Sequence, residues 1–373
     1  MDFNLSIPVK VISGENCVRD NAELLKPFGK KCAIITGKNS AKICGALDDV
    51  IFALEKCNIE YKLFDEITQN PVLQTCHKIA KQALEFGAEF VLGIGGGSPL
   101  DAAKAVAVFM TNPDFSENDI FSAPNRKDAL ELVLIGTTAG TGSEVGAVAV
   151  LTDEVSGRKK SINYTDCIAK LAFADFKYTK ALPYDFTVST ALDALSHTVE
   201  GYLSKRSTSI AELFAEKAVV LIWEGLQYLK NNKTLPTDEI REKLFYGSLY
   251  AGITLSYCGT GFPHPLGYIF TENKGIAHGK ACTAFMSDFV ERAAEFETEK
   301  LAKILSLIGE TQESFLADVE LLTDLNDVKF TKEELDVIFT RFDEVIPANF
   351  GFSPGGFTVQ MAREIFDRKF LVK

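Results

Sequence analysis

The first half of the chain alternates between short apolar segments and longer segments of helical periodicity, and this alternation constrains the fold more than any other feature. The apolar segments at residues 31–36, 90–94 and 130–135 each run into glycine, and segments with helical spacing occupy 41–56 and 72–86. Parallel strands that are buried on both faces have this continuous apolar character. Strands that alternate with helices predict a doubly wound parallel sheet.

The pattern changes near residue 183, which we predict to be a domain boundary. Beyond it, helical periodicity dominates and candidate strands are scarce. The strongest helical segments are 187–203, 208–230, 238–256, 287–307 and 332–342. The sequence thus predicts an α/β domain over residues 1–183, with a further strand at 61–65 and an extra strand or hairpin within 3–12, and an all-helical domain over residues 184–373.

The composition argues against several classes of partner. Of the 373 residues, 46% are hydrophobic and 24% are charged, as in an ordinary globular protein. The formal net charge of −12 argues against nucleic acid or an anionic membrane as the main partner. We expect neither a signal peptide nor a membrane span, because the sequence lacks the apolar runs that they require. The 8 cysteines are scattered, which is typical of a reduced cytoplasmic protein.

A glycine-rich loop follows the strand predicted at 90–94 and reads Gly95-Gly96-Gly97-Ser98-Pro99-Leu100-Asp101. Glycines allow a close backbone approach to a ligand, and Ser98 and Asp101 have the spacing of a capping box. Free N–H groups at the start of the next helix could bind a pyrophosphate. The alternative is a tight turn without a ligand, because the pattern matches the dinucleotide fingerprint only loosely.

A second polar loop follows the strand predicted at 130–135 and reads Gly136-Thr137-Thr138-Ala139-Gly140-Thr141-Gly142-Ser143-Glu144. Its threonines could donate hydrogen bonds to a ribose or a phosphate. Taken alone, the loop is better explained as a polar turn. Two such loops in one sheet favour a ligand, because open α/β sheets bind ligands at the carboxyl ends of their strands.

Three of the 4 histidines and one aspartate form a possible set of metal ligands. Asp193 and His197 are spaced i, i+4 in a helical segment and therefore share one helix face. His264 and His278 lie in short segments with proline or glycine neighbours. One carboxylate and three imidazoles suit Fe²⁺ or Zn²⁺. The alternative is that each histidine makes ordinary hydrogen bonds, because the sequence does not show that these segments meet; His77 fits that interpretation.

The two loops, Asp193-x-x-x-His197, His264 and His278 together resemble the iron-containing alcohol dehydrogenases over essentially the whole chain. The resemblance implies a Rossmann-like N-terminal domain and an all-α C-terminal domain, a fold shared with dehydroquinate synthases, with the active site in the cleft between them. It implies hydride transfer between NAD(P)(H) and a small alcohol or aldehyde. It also implies that these four residues bind one Fe²⁺ or Zn²⁺, and that the protein forms cytoplasmic homodimers or larger homo-oligomers.

The resemblance further implies which residues contact the dinucleotide. The pyrophosphate and ribose would be contacted by Gly96, Gly97, Ser98 and Asp101, and the nicotinamide side would be lined by Thr137, Thr138 and Thr141. Lys160 would reach the ribose hydroxyls, and Asn70 matches another position on the cofactor side. Many relatives carry a second histidine four residues after the one that matches His264, and this histidine is thought to relay the alcohol proton. Tyr268 occupies that position here, so its hydroxyl or a chain of waters would have to serve.

The segment after the strand at 31–36 predicts that the enzyme prefers NADP(H) to NAD(H). A site specific for NAD usually has a carboxylate here, which binds the adenosine ribose and repels a 2′-phosphate. Gly37 leaves room for that phosphate, Ser40 can donate a hydrogen bond, and Lys38 or Lys42 can supply positive charge. The alternative is a polar loop whose lysines point into solvent.

Two other functions agree less well with these motifs. A dehydroquinate synthase-like or glycerol dehydrogenase-like metal enzyme would share the general fold, but the ligand set and the threonine-rich loop favour an alcohol dehydrogenase. A non-catalytic nucleotide- or metal-binding protein would not need four metal ligands together with two cofactor loops. We therefore predict a metal-dependent alcohol dehydrogenase or aldehyde reductase.

Overall fold

The computed structural model describes residues 6–372, which form two compact units. Residues 6–183 and 237–252 make up the first unit, and residues 184–236 and 253–372 the second. The sequence analysis assigned 237–252 to the helical domain, whereas the structure packs it with the α/β unit. Arg241 explains this difference, because its buried guanidinium donates hydrogen bonds to the carbonyls of Thr179 (2.6 Å) and Leu182 (3.0 Å).

The first unit is built on a parallel sheet, as the sequence predicts. The strands of the described chain are β1 (Lys10–Ser13), β2 (Lys31–Gly37), β3 (Glu60–Ile67), β4 (Phe90–Gly95), β5 (Leu132–Gly136), β6 (Val148–Thr152), β7 (Lys159–Asn163) and β8 (Leu171–Ala174). Six of them form one sheet in the order β1-β8-β5-β4-β2-β3, and all of its neighbouring strands are parallel. β4 and β5 are buried along their whole length, which explains their continuous apolar sequences.

Helices cover this sheet. Those before residue 183 are α1 (Cys17–Asp20), α2 (Ser40–Ile43), α3 (Ala46–Lys56), α4 (Leu73–Phe86) and α5 (Gly97–Thr111). α1 and α3 share an apolar core with β2, β4 and β8, and α5 packs against β2 and β4. The single helix predicted at 41–56 was wrong: Gly45 adopts a φ of 82° and separates α2 from α3.

Two features of the first unit differ from the sequence analysis. β6 and β7 form an antiparallel hairpin that the sequence analysis did not predict, and Thr152 N donates to Pro71 O at 2.8 Å. The extra strand expected within 3–12 is β1, which starts at Lys10 and pairs in parallel with β8. Residues 3–5 of that prediction lie outside the described residues.

The second unit is helical, as predicted. Its helices are α6 (Tyr184–Tyr202), α7 (Ser209–Asn232), α9 (Pro263–Lys274), α10 (His278–Thr283), α11 (Met286–Phe296), α12 (Thr298–Ile308), α13 (Gln312–Thr323), α14 (Lys332–Phe339), α15 (Arg341–Glu344), α16 (Ala348–Phe352) and α17 (Val359–Lys369). One more helix, α8 (Asp238–Cys258), belongs to the first unit as far as residue 252 and to the second unit beyond it.

Two predicted helices of this unit are each divided in two. The segment 287–307 breaks at Glu297, whose φ of −135° and ψ of 41° are not helical. The segment 332–342 breaks at Thr340, whose hydroxyl donates to the carbonyl of Val337 at 2.7 Å. Among residues 6–372, no helix is both long enough and apolar enough to cross a membrane.

Candidate metal centre and cofactor loops

The four predicted metal ligands lie together in the second unit. Asp193 Oδ1 is 4.0 Å from His197 Nε2 and 3.8 Å from the Nε2 atoms of His264 and His278. Four such donors bound tetrahedrally to one ion, each about 2.0–2.2 Å from it, would lie roughly 3.3–3.6 Å from one another. The donor set therefore has nearly the dimensions of a divalent metal site, and its chemistry fits Fe²⁺ or Zn²⁺.

Three helices supply these side chains. Asp193 and His197 occupy one face of α6, as their spacing predicts. His264 lies in the first turn of α9, and His278 is the first residue of α10. A β-carbon on Gly279 would lie only 1.8 Å from Ser189 O of α6. This glycine thus lets α10 approach α6 closely enough to bring His278 to Asp193.

Two further residues of the cluster, Glu200 and Cys282, were missed by the sequence analysis. Glu200 is completely buried, and its Oε1 is 2.7 Å from His264 Nδ1. Cys282 Sγ and one potential ligand atom from each of Asp193, His264 and His278 all lie within 4.8 Å of one another. Helical spacing could have indicated both residues, because Glu200 follows Asp193 by seven positions and Cys282 follows His278 by four.

Burial and neighbouring charges together set the protonation of this cluster. Burial raises the pKa of the Cys282 thiol to about 11, so this side chain is a neutral thiol near pH 7. Burial by itself would lower the pKa of His264, but the adjacent Glu200 carboxylate helps to raise it well above its ordinary value. His264 Nε2 is buried and makes no hydrogen bond within the described residues. A buried nitrogen that faces a carboxylate fits a cation, and a metal ion would compete with a proton for it.

Tyr268 lies next to the cluster, on α9. Its ring stacks on that of His278, with centroids 5.3 Å apart and planes inclined by 16°. His278 has 28% of its side chain exposed, whereas the side chains of Asp193 and His264 are only about 5–6% exposed. The cluster therefore meets solvent on the side where Tyr268 and His278 stack.

The predicted cofactor loops lie side by side at the carboxyl edge of the sheet in the first unit. β2, β4 and β5 are neighbours and end at Gly37, Gly95 and Gly136. Gly95 pairs with Gly136, and Thr137 N donates to Gly95 O at 2.9 Å. This is the edge at which open α/β sheets bind ligands.

Close packing between the two loops requires glycine at positions 96 and 97. A β-carbon on Gly96 would lie 2.8 Å from Thr138 Cγ2, and one on Gly97 would lie 2.7 Å from Thr141 Cγ2. Both distances are shorter than a normal carbon–carbon contact. The glycines are therefore needed to assemble the loops, in addition to any approach of a ligand to their backbone.

The capping-box interpretation of Ser98 and Asp101 was wrong. α5 already begins at Gly97, because Gly96 before it is extended, so Ser98 and Asp101 both lie inside the helix. Ser98 Oγ accepts a hydrogen bond from Asn70 N at 3.2 Å. Asp101 accepts from Ser143 Oγ of the second loop at 2.7 Å and from the N–H of Val150 in the hairpin at 2.9 Å. Asp101 thus connects α5 to both neighbouring segments.

Lys104 strengthens the same connection. Its buried ammonium donates to the carbonyl and the hydroxyl of Ser143 and to the carbonyl of Val148, each at 2.8 Å. Burial lowers the pKa of Lys104 and raises that of Asp101, while each group opposes the shift of the other. This buried network holds the second loop and the start of β6 against α5.

The remaining predicted cofactor residues lie on the surface of the first unit or close to it. Gly37 ends β2, and Ser40, the first residue of α2, is exposed. Asn70 adopts a left-handed conformation with a φ of 58°. Lys160 is exposed on β7, with its Nζ 3.8 Å from Asp153 Oδ2 and 3.4 Å from Asn118 Oδ1.

Comparison with known proteins identifies the class of enzyme. Residues 8–176 match the sequence profile described as iron-containing alcohol dehydrogenase, and residues 187–338 match that of the C-terminal domain of the same family. The long-chain primary alcohol dehydrogenase AdhA of Thermoanaerobacter ethanolicus is 30% identical, over 95% of this chain and 93% of that protein. The NADPH-dependent butanol dehydrogenase of Clostridium saccharobutylicum is 29% identical, over 80% of this chain and 78% of that protein.

Solved structures agree with this result. An iron-containing alcohol dehydrogenase from Thermotoga maritima superposes with a TM-score of 0.90 at 33% identity, over 99% of both chains. The protein is therefore an oxidoreductase, an NAD(P)-dependent alcohol dehydrogenase or aldehyde reductase. It belongs to the iron-containing alcohol dehydrogenase family. The family and the fold class predicted from the sequence are confirmed.

Proposed function

We propose that Asp193, His197, His264 and His278 bind one divalent ion, Fe²⁺ or Zn²⁺, and that the enzyme requires it to interconvert a small alcohol and its aldehyde. The observation that carries this proposal is the approach of Asp193 Oδ1 to three imidazole Nε2 atoms within 4.0 Å. A bound ion would act as a Lewis acid that polarises the oxygen of the substrate.

The protein's own side chains have separate roles in this proposal. Asp193 would offset part of the positive charge of the ion, and the three imidazoles would bind it in their neutral form. The burial of Asp193, His197 and His264 excludes water from one side of the reacting oxygen. Tyr268, stacked on the partly exposed His278, is placed to pass the alcohol proton between the cluster and solvent.

The first unit is proposed to bind the dinucleotide. The free N–H groups at the start of α5, around Gly96, Gly97 and Ser98, would hold the pyrophosphate. Thr137, Thr138 and Thr141 would face the nicotinamide, Lys160 would reach the ribose hydroxyls, and Asn70 would lie at another position on the cofactor side. Asp101 would act by holding the second loop in place, because both of its oxygens accept hydrogen bonds from neighbouring segments.

NADP(H) is the proposed dinucleotide. The end of β2 at Gly37 has no acidic side chain before Asp48, and Lys38, Ser40 and Lys42 near it are exposed. Relatives include both an NADPH-dependent butanol dehydrogenase and an NAD-dependent methanol dehydrogenase of Bacillus methanolicus, so the family accommodates either cofactor. The residues that follow β2 in this chain favour NADP(H) over NAD(H).

The protein is proposed to be cytoplasmic and to form a homodimer or a larger homo-oligomer. The 8 cysteines are all free, which suits a reducing compartment. β1 forms one edge of the sheet, where unpaired backbone groups can pair with another chain. Sedimentation analysis of the purified protein would measure its oligomeric state.

The test of the function is a substrate panel on metal-defined enzyme. Metal-free protein would be reloaded with Fe²⁺ or Zn²⁺ and assayed for oxidation of NADPH and NADH with short and long aldehydes. We expect turnover only after reloading, and faster turnover with NADPH. Net oxidation of the cofactor would also separate a reductase from a dehydroquinate synthase-like enzyme. Full turnover by the metal-free protein would contradict the proposed metal centre.

A further inference from the structure

Glu200 is a fully buried carboxylate on the face of α6 that carries Asp193 and His197. It follows Asp193 by seven residues and His197 by three, which are intervals of a single helix face. No part of its side chain is exposed. A buried carboxylate is costly unless hydrogen bonds compensate for its lost hydration. The hydrogen-bond partners of Glu200 therefore indicate its role.

Both oxygens of Glu200 bind groups around the start of α9. Oε1 is 2.7 Å from His264 Nδ1 and accepts a hydrogen bond from the Ser196 hydroxyl. Oε2 accepts from Gly261 N at 2.8 Å. Gly261 and His264 flank the beginning of α9, so a single carboxylate ties this metal-ligand helix to α6.

The hydrogen bond to Glu200 determines which nitrogen of His264 can bind a metal. The Glu200 side chain already accepts hydrogen bonds from Gly261 N and Ser196 Oγ, and His264 Nδ1 takes the position of a third donor to it, with its proton on Nδ1. In a neutral imidazole the free lone pair then lies on Nε2. Nε2 is the atom that lies 3.8 Å from Asp193 Oδ1 and makes no hydrogen bond within the described residues.

Given the proposed metal centre, on which this inference rests, we infer that Glu200 is a positioning residue for it. Glu200 holds His264 in the Nδ1-protonated tautomer and fixes its ring so that Nε2 faces the ion. It acts through His264 and contacts neither the ion nor the substrate. Carboxylates that orient a ligating histidine typically contribute about 10–100-fold to metal affinity.

The substitution Glu200→Gln tests this role because glutamine has the same shape but cannot satisfy the same partners. If its oxygen faces His264 and Ser196, its NH₂ group meets the N–H of Gly261, and two donors oppose each other. If the amide is turned round, its NH₂ group meets His264 Nδ1 and favours the tautomer with a proton on Nε2. The first orientation keeps the tautomer but disrupts the contact with Gly261 that helps to fix the carboxyl group, and the second orientation puts a proton on the Nε2 atom that would bind the metal.

The experiment is a Co²⁺ titration of the metal-free protein, followed by its visible absorption spectrum and by competition with a chelator. We expect Glu200→Gln to bind Co²⁺ about 10–100-fold more weakly than the unsubstituted protein, with a changed absorption spectrum. Glu117→Gln is the matched control, since Glu117 Oε1 pairs with His77 Nδ1 at 2.9 Å in the first unit. This control should bind Co²⁺ like the unsubstituted protein. Circular dichroism would report the fold of each variant.

The outcomes separate this inference from the proposed function. A folded Glu200→Gln variant whose affinity for Co²⁺ stays within about twofold of the unsubstituted protein would overturn the inference alone. An unsubstituted protein that binds Co²⁺ no better than His264→Ala would overturn the metal centre itself. If Glu200→Gln does not fold, ¹⁵N NMR of the metal-free, histidine-labelled protein decides, at a pH at which its imidazoles are neutral. A neutral His264 with its proton on Nδ1 supports the role of Glu200, and one with its proton on Nε2 refutes it.

Discussion

At the scale of single residues, position 37 controls the space in which a 2′-phosphate could bind at the end of β2. A β-carbon on Gly37 would lie 3.3 Å from Ile67 O and 3.6 Å from Ser40 Oγ. These contacts are close but not severe, and Gly37 does not have a positive φ. A side chain at this position should therefore alter the choice of cofactor and leave the fold intact.

We expect Gly37→Asp to shift cofactor preference from NADPH towards NADH. The new carboxylate would repel a 2′-phosphate and accept hydrogen bonds from a free ribose. The ratio of kcat/KM for NADPH to that for NADH, measured with one aldehyde, should fall by roughly 10–100-fold, equivalent to about 1.4–2.8 kcal/mol. Gly37→Ala fills part of the same space without charge and should retain the preference. An unsubstituted enzyme that strongly favours NADH would refute the assignment.

At the scale of secondary structure elements, the proposed metal centre depends on how closely α10 packs against α6. The contact is made by backbone, because a β-carbon on Gly279 would lie 1.8 Å from Ser189 O and 2.7 Å from Asp193 N. Gly279 directly follows His278, and Asp193 is itself a predicted ligand. A larger residue at position 279 must therefore move one ligand away from another.

Gly279→Ala should weaken metal binding and lower stability together. Forcing a methyl group into a packed contact typically costs about 1–3 kcal/mol, and the displaced α10 would carry His278 away from Asp193. Gly351→Ala is a matched control, since Gly351 is helical and a β-carbon there would meet nothing within 4 Å. Metal content after dialysis and the midpoint of urea unfolding would be measured on both. Equal metal retention by the two variants would show that the α6–α10 contact does not shape the site.

At the scale of the whole molecule, a metal ion should stabilise the fold, because the four proposed ligands come from α6, α9 and α10. At a free metal concentration 100 times Kd, binding contributes about 2.7 kcal/mol to the free energy of unfolding. For a unit of this size, each kcal/mol raises Tm by about 2–4 °C.

We therefore expect the unfolding transition of the second unit to rise by roughly 5–10 °C when Zn²⁺ is added to the metal-free protein. Differential scanning calorimetry of the two forms would measure the shift. His278→Ala should show little or no metal-dependent shift, since one of the four ligands is missing. An identical Tm for the metal-free and metal-loaded forms of the unsubstituted protein would contradict a metal site shared by three helices.

The sequence by itself determined the features that depend on local spacing. Continuous apolar runs ending in glycine located β2, β4 and β5, since such runs suit strands that are buried on both faces. The i, i+4 interval placed Asp193 and His197 on one face of α6, because helical geometry alone requires it. The order of these motifs along the chain was enough to indicate the family.

Only the tertiary structure decided the features that depend on contacts between distant segments. Asp101 has the spacing of a capping residue, yet its carboxylate bonds to Ser143 and Val150, more than forty positions away. In the sequence, Glu200 cannot be distinguished from an ordinary helical carboxylate. In the structure, its Oε1 lies 2.7 Å from His264 Nδ1 at the start of α9. Residue spacing describes a single helix or strand, whereas the partner of a buried polar group is set by which elements pack together, and that packing depends on the whole chain.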